Sequence, residues 1–296
     1  MKLKEKLRSG LLASETFFPI QHNEDLLIDT VYRVLETSFY ARLELGTIRT
    51  PSARQQLRQI ANRVPVTQWI TSDLNEESLN PSTVDSALRV RTIERIRELV
   101  MTAAESGADR VALISGQDPG PDFRADAAKG LEEVLCAAAQ SAATADITIM
   151  LEPLDRGAHK NNFIGPTSEA MAVLDAVRRT YPNVLLSWDS AHVALNGENL
   201  LQSLSQSFCH VGQIHLSNAV LSRTAPDFGD WHMPMGAPGF LTAEMAFAIA
   251  ACAAKRLPDG KTMGISVESR SHTADEVLKN EEKNRRFLQA VLEQEI

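Results

Sequence analysis

The sequence predicts an α/β fold, a single (β/α)8 TIM barrel spanning residues 1–296, on three observations. Short β-rich apolar runs alternate about eight times with longer stretches of helical period, the pattern of parallel strands joined by helical crossovers. The chain length suits one barrel, since an α/β barrel of about 250 residues is one domain. The last four strand candidates each carry a cation-binding side chain at or near the C-terminal end, where a parallel barrel presents its chemistry. Strand–helix alternation alone also fits an open doubly wound sheet. No GxGxxG follows the first strands and no GxxxxGKS/T occurs, so the nucleotide-binding versions of that sheet lose support.

The first strand is expected near Leu11 to Phe18. The others are FYARLEL (39–45), VPVTQWI (64–70), ADRVALI (108–114), DITIMLE (146–152), NVLLSWD (183–189), VGQIHLS (211–217) and MGISVE (263–268). A helix over 24–37 opens after Asn23, an N-cap, and places Leu27, Ile28, Val31, Val34 and Leu35 on one stripe. The helix at 83–106 spaces Val84, Leu88, Ile93, Ile96, Leu99 and Val100 by three and four, and Gly107 stops it. An alanine-rich helix at 124–143 offers Leu131, Val134 and Leu135 to the core. Pro166, Thr167 and Glu169 mark the start of a helix running to Arg179, and further helices are expected at 196–207, 241–256 and 274–293.

With 44% apolar and 23% charged residues, the composition is that of an ordinary soluble protein with a sizeable core. A net charge of −8 argues against a surface for non-specific nucleic-acid binding. Cys136, Cys209 and Cys252 are far apart without a CxxC, and are expected as buried reduced thiols. The first residues lack a sustained apolar stretch and a small-residue cleavage site, and no run approaches the roughly 18 apolar residues of a membrane span. A cytoplasmic protein is expected.

An acid at the end of an apolar strand is costly unless paired, solvated or liganded. One such residue is unremarkable as a rim carboxylate. Four on neighbouring strands form a constellation: Glu152 closes ITIMLE, Asp189 closes LLSWD, His215 sits in QIHLS and Glu268 closes ISVE. Three carboxylates and an imidazole suit one divalent metal, Mn²⁺, Mg²⁺ or Co²⁺, with Zn²⁺ accessible through the histidine. Near them in the chain lie His192 and the Asp230-Trp231-His232 loop. His192, Asp230 and His232 could hold a second metal about 3.5–4 Å from the first, or contact substrate hydroxyls and order the first ligands. His22 and His210 read as bystanders, and His159 and His272 as solvated loop positions.

The pieces IMLEPLDR, SWDSAHV, QIHLSN, GDWHMPMGAPG and ISVES resemble the xylose-isomerase-like barrel superfamily of sugar isomerases, epimerases and endonuclease IV-type enzymes. The likeness covers the C-terminal half by motif and the whole chain by strand–helix order. It implies a metal on Glu152, Asp189, His215 and Glu268. It also implies that Glu152 and Glu268 exchange protons with a sugar or polyol derivative through a cis-enediolate. By the same resemblance His192 and Arg156 contact the substrate, with His232, Asp230 and Arg223 as further binding residues, and the chain forms a homodimer or homotetramer. Ala158 stands where many epimerases of the superfamily carry another glutamate, which argues against assignment to the tagatose or psicose group.

Two other reactions remain open. A metal-dependent lyase or dehydratase on a keto-sugar or 3-keto-glycoside would use His192, His232 or His159 as base. An endonuclease IV-like phosphodiesterase would use His192, Asp230 and His232 for an extra zinc, but that family also needs early-strand histidines that QWITSD and ALISGQDP lack. Nucleic acid is therefore the less expected partner and a small carbohydrate the more expected one. A non-catalytic sugar-binding barrel would not need Glu152 and Glu268 facing one metal.

Overall fold

The computed structural model describes residues 2–296. Its eight parallel strands are β1 (Leu7–Leu12), β2 (Arg42–Gly46), β3 (Val66–Trp69), β4 (Arg110–Ile114), β5 (Thr148–Glu152), β6 (Val184–Asp189), β7 (Val211–Ser217) and β8 (Met263–Glu268). They form a closed barrel in sequence order. Closure is made by β1 against β8, in register from Leu7 opposite Met263 to Leu11 opposite Val267. The barrel class expected from the alternation is the one observed. Among the described residues no helix is long and apolar enough to cross a membrane.

The first strand differs from its expected place near Leu11 to Phe18. It lies at Leu7–Leu12, and Ala13–Thr16 and Phe18–Ile20 are short helical turns. Pairing decides the matter: β8 and β2 offer ladder partners to Leu7–Leu12, and Pro19, which has no N–H to donate, falls in the second turn. Gly10 explains why the strand was hard to read. A Cβ there would lie 2.1 Å from Ser266 Oγ and 3.6 Å from Glu44 Oε1, so a residue with low strand propensity is required inside the barrel.

The outer helices follow the apolar stripes. Glu24–Leu35 begins where Asn23 accepts a hydrogen bond from Leu26 N–H, and buries Leu27, Ile28, Val31 and Val34. Ser86–Glu105 is capped by Asp85, starts later than expected, and leaves Val84 exposed. Pro51–Ala61 is a helix the stripes did not single out, although Thr50 and Pro51 form a cap and first-turn pair. The expected 196–207 helix is Leu200–Ser207, and a further short helix, Ser190–Leu195, precedes it, the two separated at Gly197 with φ 77°. The other α-helices are Thr71–Glu76, Arg124–Ala143, Thr167–Arg178, Ala243–Arg256 and Val277–Leu292. The cysteines are free, but none is buried: Cys209 is exposed, and Cys136 and Cys252 are half-buried at helix surfaces.

Inside the barrel some polar groups are paired, although both amide atoms of Gln68 on β3 have no partner. Glu44 accepts from Ser266 Oγ at 2.6 Å and from Gln213 Nε2 at 2.9 Å. Gly10→Ala should break this packing and destabilise the fold by about 1–3 kcal/mol. Gly46→Ala, where a Cβ meets nothing within 4 Å, should stay within about 0.5 kcal/mol of the parent. Urea denaturation midpoints of the two variants test the pair; equal midpoints would show that the space at Gly10 is not needed.

Candidate metal centre and pocket

The ladders of β5 to β8 bring four strand-borne side chains to one point. Register sets Asp189 beside His215, and Ser217 beside Glu268. Glu152, Asp189, His215 and Glu268 are all buried, and each offers a ligand atom within 4.8 Å of the others. His215 Nδ1 lies 3.0 Å from Glu152 Oε1 and 3.2 Å from Glu268 Oε2. Asp189 Oδ1 caps the following helix by accepting His192 N–H at 3.0 Å, while its buried Oδ2 has no partner. An orphaned carboxylate oxygen aimed into a ring of carboxylates fits a divalent cation, and the donor set suits a hard or borderline ion.

Glu44 completes the histidine's surroundings. Its Oε2 is 3.0 Å from His215 Nε2, while its own position is held by Ser266, Gln213 and Trp69. Without a cation both ring nitrogens of His215 lie against carboxylates; a hydrogen bond from Nε2–H to Glu44 would leave Nδ1 free to bind a metal ion in place of its proton. Glu44 was not among the residues singled out from sequence, though an acid inside FYARLEL is the same signal as those on the later strands.

Burial and mutual repulsion govern the charges. Burial, with Glu268 as a like-charged neighbour, pushes Glu152 above its ordinary range against the pull of His215. Burial pushes Asp189 well up, and Glu268, Glu152 and Asp230 add to the rise. Burial acts on Glu268 in the same sense, but hydrogen bonds from His215 and His232 hold it well below. Burial opposes the charged form of His215, yet Glu44, Glu152 and Glu268 raise it well above its usual value. His192 is likewise lifted to about 10 against burial by Asp189, Asp155 and Asp230.

A second layer comes from loops. Asp155, fully buried, faces His192 Nδ1 at 3.3 Å and accepts the backbone N–H of Lys160 at 2.9 Å. His192 Nε2 is 3.6 Å from Asp230 Oδ2. His232 Nδ1 is 2.8 Å from Glu268 Oε1, and its backbone, in the left-handed region at φ 50°, is held by Arg270 N–H donating to its carbonyl at 2.7 Å. Glu15, His232 and Glu268 form another close group, into which Arg270 Nε reaches, 2.6 Å from Glu15 Oε2. Glu15, Lys160, His192, His232, Glu268 and Arg270 wall a cavity of about 360 Å³, lined also by Phe18, Trp69, Asn75, Asn80 and Gln117. That is the lower end of small-molecule sites.

Two expected substrate contacts lie elsewhere. Arg156 donates to Phe163 O and to both oxygens of Glu169, so its guanidinium is spent tying the 153–165 segment to the helix that Glu169 helps begin. Arg223 is exposed, with its guanidinium 5.4 Å from the Phe228 ring, and does not line the cavity. His159 is not a solvated loop residue: its Nδ1 is 2.6 Å from Asp230 O and its ring lies 4.0 Å from that of Trp231. His22 and His272 are exposed, and His210 is buried 3.2 Å from Asp175. Glu15, Asp155 and Lys160 were missed. Asp155 stood in LEPLDR, whereas Lys160 carried no signal, its partners being some seventy residues distant.

The chain is 28% identical over 137 residues to a putative hydroxypyruvate isomerase from Xenopus laevis, a match spanning 45% of this chain and about half, 49%, of the relative. The fold is shared with an L-ribulose 3-epimerase (TM-score 0.69, 18% identity, 97% of this chain and 95% of that one). It is shared equally with the IOLI protein carrying a zinc atom (TM-score 0.69, 17%, 97% and 98%). A D-allulose 3-epimerase from Methylomonas sp. in complex with D-allulose is similar too (TM-score 0.70, 17%, 97% and 96%). The model of the xylose isomerase-like TIM barrel family matches residues 32–251, and this chain belongs to that family.

Proposed function

We propose that this protein is a divalent-metal-dependent isomerase or epimerase of a small sugar or sugar derivative, working by proton transfer beside a carbonyl. The observation that carries the reading is the pair Glu152 and Glu268, 3.0 and 3.2 Å from one imidazole nitrogen, at the floor of a small-molecule cavity. Both line the cavity, and two carboxylates so placed can serve as acid and base. Glu268 takes a proton from the carbon next to the carbonyl, and Glu152 returns one. Return to the neighbouring carbon isomerises a cis-enediolate; return to the opposite face of the same carbon epimerises. A cation on Glu152, Asp189, His215 and Glu268 would supply Lewis acidity, polarising the carbonyl and offsetting the charge that develops.

His192 and His232 line the cavity, and we assign them to the sugar oxygens, with Asn75, Asn80 and Gln117 offering further hydrogen bonds at the opposite wall. Arg156 and Arg223 have no part in this. The names of the relatives, isomerase and epimerases, support the same chemistry. The phosphodiesterase reading is the weaker one. The ends of β3 and β4 present Trp69 and Ile114, not histidines, and the cavity suits a metabolite better than a duplex.

Glu268→Gln should slow the wash-in of solvent deuterium at the carbon beside a ketose carbonyl by at least about 100-fold, as loss of a general base does. Proton NMR in D₂O measures it, and a retained full rate would remove Glu268 from the mechanism. Glu44→Gln should weaken Mn²⁺ binding about 10- to 100-fold by releasing the His215 ring. Calorimetric titration of the metal-free variant measures this, and an unchanged affinity would leave Glu44 a packing residue only.

A further inference from the structure

His192, Asp230 and His232, which the sequence offers as a second cation site, do converge. Asp230 Oδ2 lies 3.6 Å from His192 Nε2 and 3.8 Å from His232 Nε2. Those are ligand-to-ligand separations an ion could span. But a fourth group stands among them. Lys160 Nζ is 3.3 Å from that same Asp230 Oδ2 and 3.1 Å from His232 Nε2.

We propose that the Lys160 ammonium is the permanent occupant of the second cation position, so that this chain binds one divalent ion and uses a side-chain cation where a binuclear site would hold another. The lysine is placed there and does not wander in from the surface. Its backbone N–H and that of His159 both donate to Asp155 Oδ1, at 2.9 and 2.5 Å, and the His159 ring locks onto Asp230 O at 2.6 Å. Gly229, at φ 118°, lets the His159 ring approach; a Cβ there would be 2.8 Å from His159 Cβ. The loop carrying the lysine is thus fastened to the loop carrying the aspartate. Its side chain is only 22% exposed, and Asp230 is fully buried and needs a counter-charge.

A divalent ion bound to Asp230 Oδ2 and His232 Nε2 would share both ligand atoms with the ammonium, and two positive charges that close repel strongly where water is scarce. In the other flanking group, Glu15, His232 and Glu268, Arg270 Nε meets one member, 2.6 Å from Glu15 Oε2.

The inference rests on the reading that Glu152, Asp189, His215 and Glu268 hold a cation, and is independent of the reaction. The test is elemental analysis after saturating metal-free protein with Zn²⁺ and gel filtration. The wild type should retain one equivalent, Lys160→Arg one, and Lys160→Ala two. Lys160→Ala/Asp230→Asn should return to one. Lys160→Ser serves if the alanine variant does not fold, with circular dichroism as the control. Two equivalents in the wild type, or one in both Lys160→Ala and Lys160→Ser, would overturn the assignment of Lys160 alone. No retained zinc in the wild type would overturn the four-residue reading and this one with it.

Discussion

The structure turns on the burial of negative charge at one end of the barrel. Glu44, Glu152, Asp189 and Glu268 are at most 7% exposed, and Asp155 and Asp230 are fully buried. Isolated carboxylates do not persist in such surroundings; they are paired, hydrogen-bonded or protonated. The central His215 touches three of them, and Glu152 and Asp189 are still pushed upward by burial and by their neighbours. Side chains satisfy Glu44, and Asp155 Oδ2 and Asp230 Oδ2, though without hydrogen bonds, lie 3.3 Å from the nitrogens of His192 and Lys160. Among the described residues Asp189 Oδ2 has neither a hydrogen bond nor an ion pair. That residual imbalance is the physical ground for a cation at the four strand ends.

Two kinds of support hold the residues. Those of the inner set are strand-borne, so ladder hydrogen bonds fix their positions, and Glu44 with Gln213 and Ser266 fixes the imidazole from beneath. The outer set, from Asp155 to Lys160 and from Asp230 to His232, lies on loops. It is held by polar contacts between loops: Asp155 on two backbone N–H groups, His159 on Asp230 O, and Arg270 N–H on the His232 carbonyl. A rigid inner set suits groups that must meet at one point. A loop-borne outer set can differ from one member of a fold to another without disturbing the barrel.

What could be read in the chain follows the same division. The runs ending in Asp189, Ser217 and Glu268 locate β6, β7 and β8 closely, because a buried parallel strand is a continuous apolar run and its polar end is abrupt. The first strand was placed several residues late: its run is short, contains Gly10, and gains its identity from β8 at the far end of the chain. Glu44 was legible on the rule applied to later strands, and was passed over because only the last four ends were weighed. Arg156 was offered by its position after a motif, which says nothing of Glu169, the acid that pairs with its guanidinium. Lys160 was invisible, since only the fold puts it beside Asp230 and His232.

The pairing of the cations bears on what the proposed site can accept. Lys160 and Arg270 are the Lys and Arg side chains lining the cavity among the described residues, and each already faces a carboxylate, Asp230 and Glu15 respectively. A phosphorylated sugar would have to draw one of them away and leave a buried or half-buried acid without its partner, a loss that a new charge pair does not readily offset. A neutral polyhydroxy compound makes no such demand. It needs donors and acceptors spread over a small volume, which the amides of Asn75, Asn80 and Gln117 offer on one wall and the histidines on the other. The proposed substrate is accordingly an uncharged ketose or polyol derivative. The reason is that the positive charge in the cavity is committed to holding its own walls.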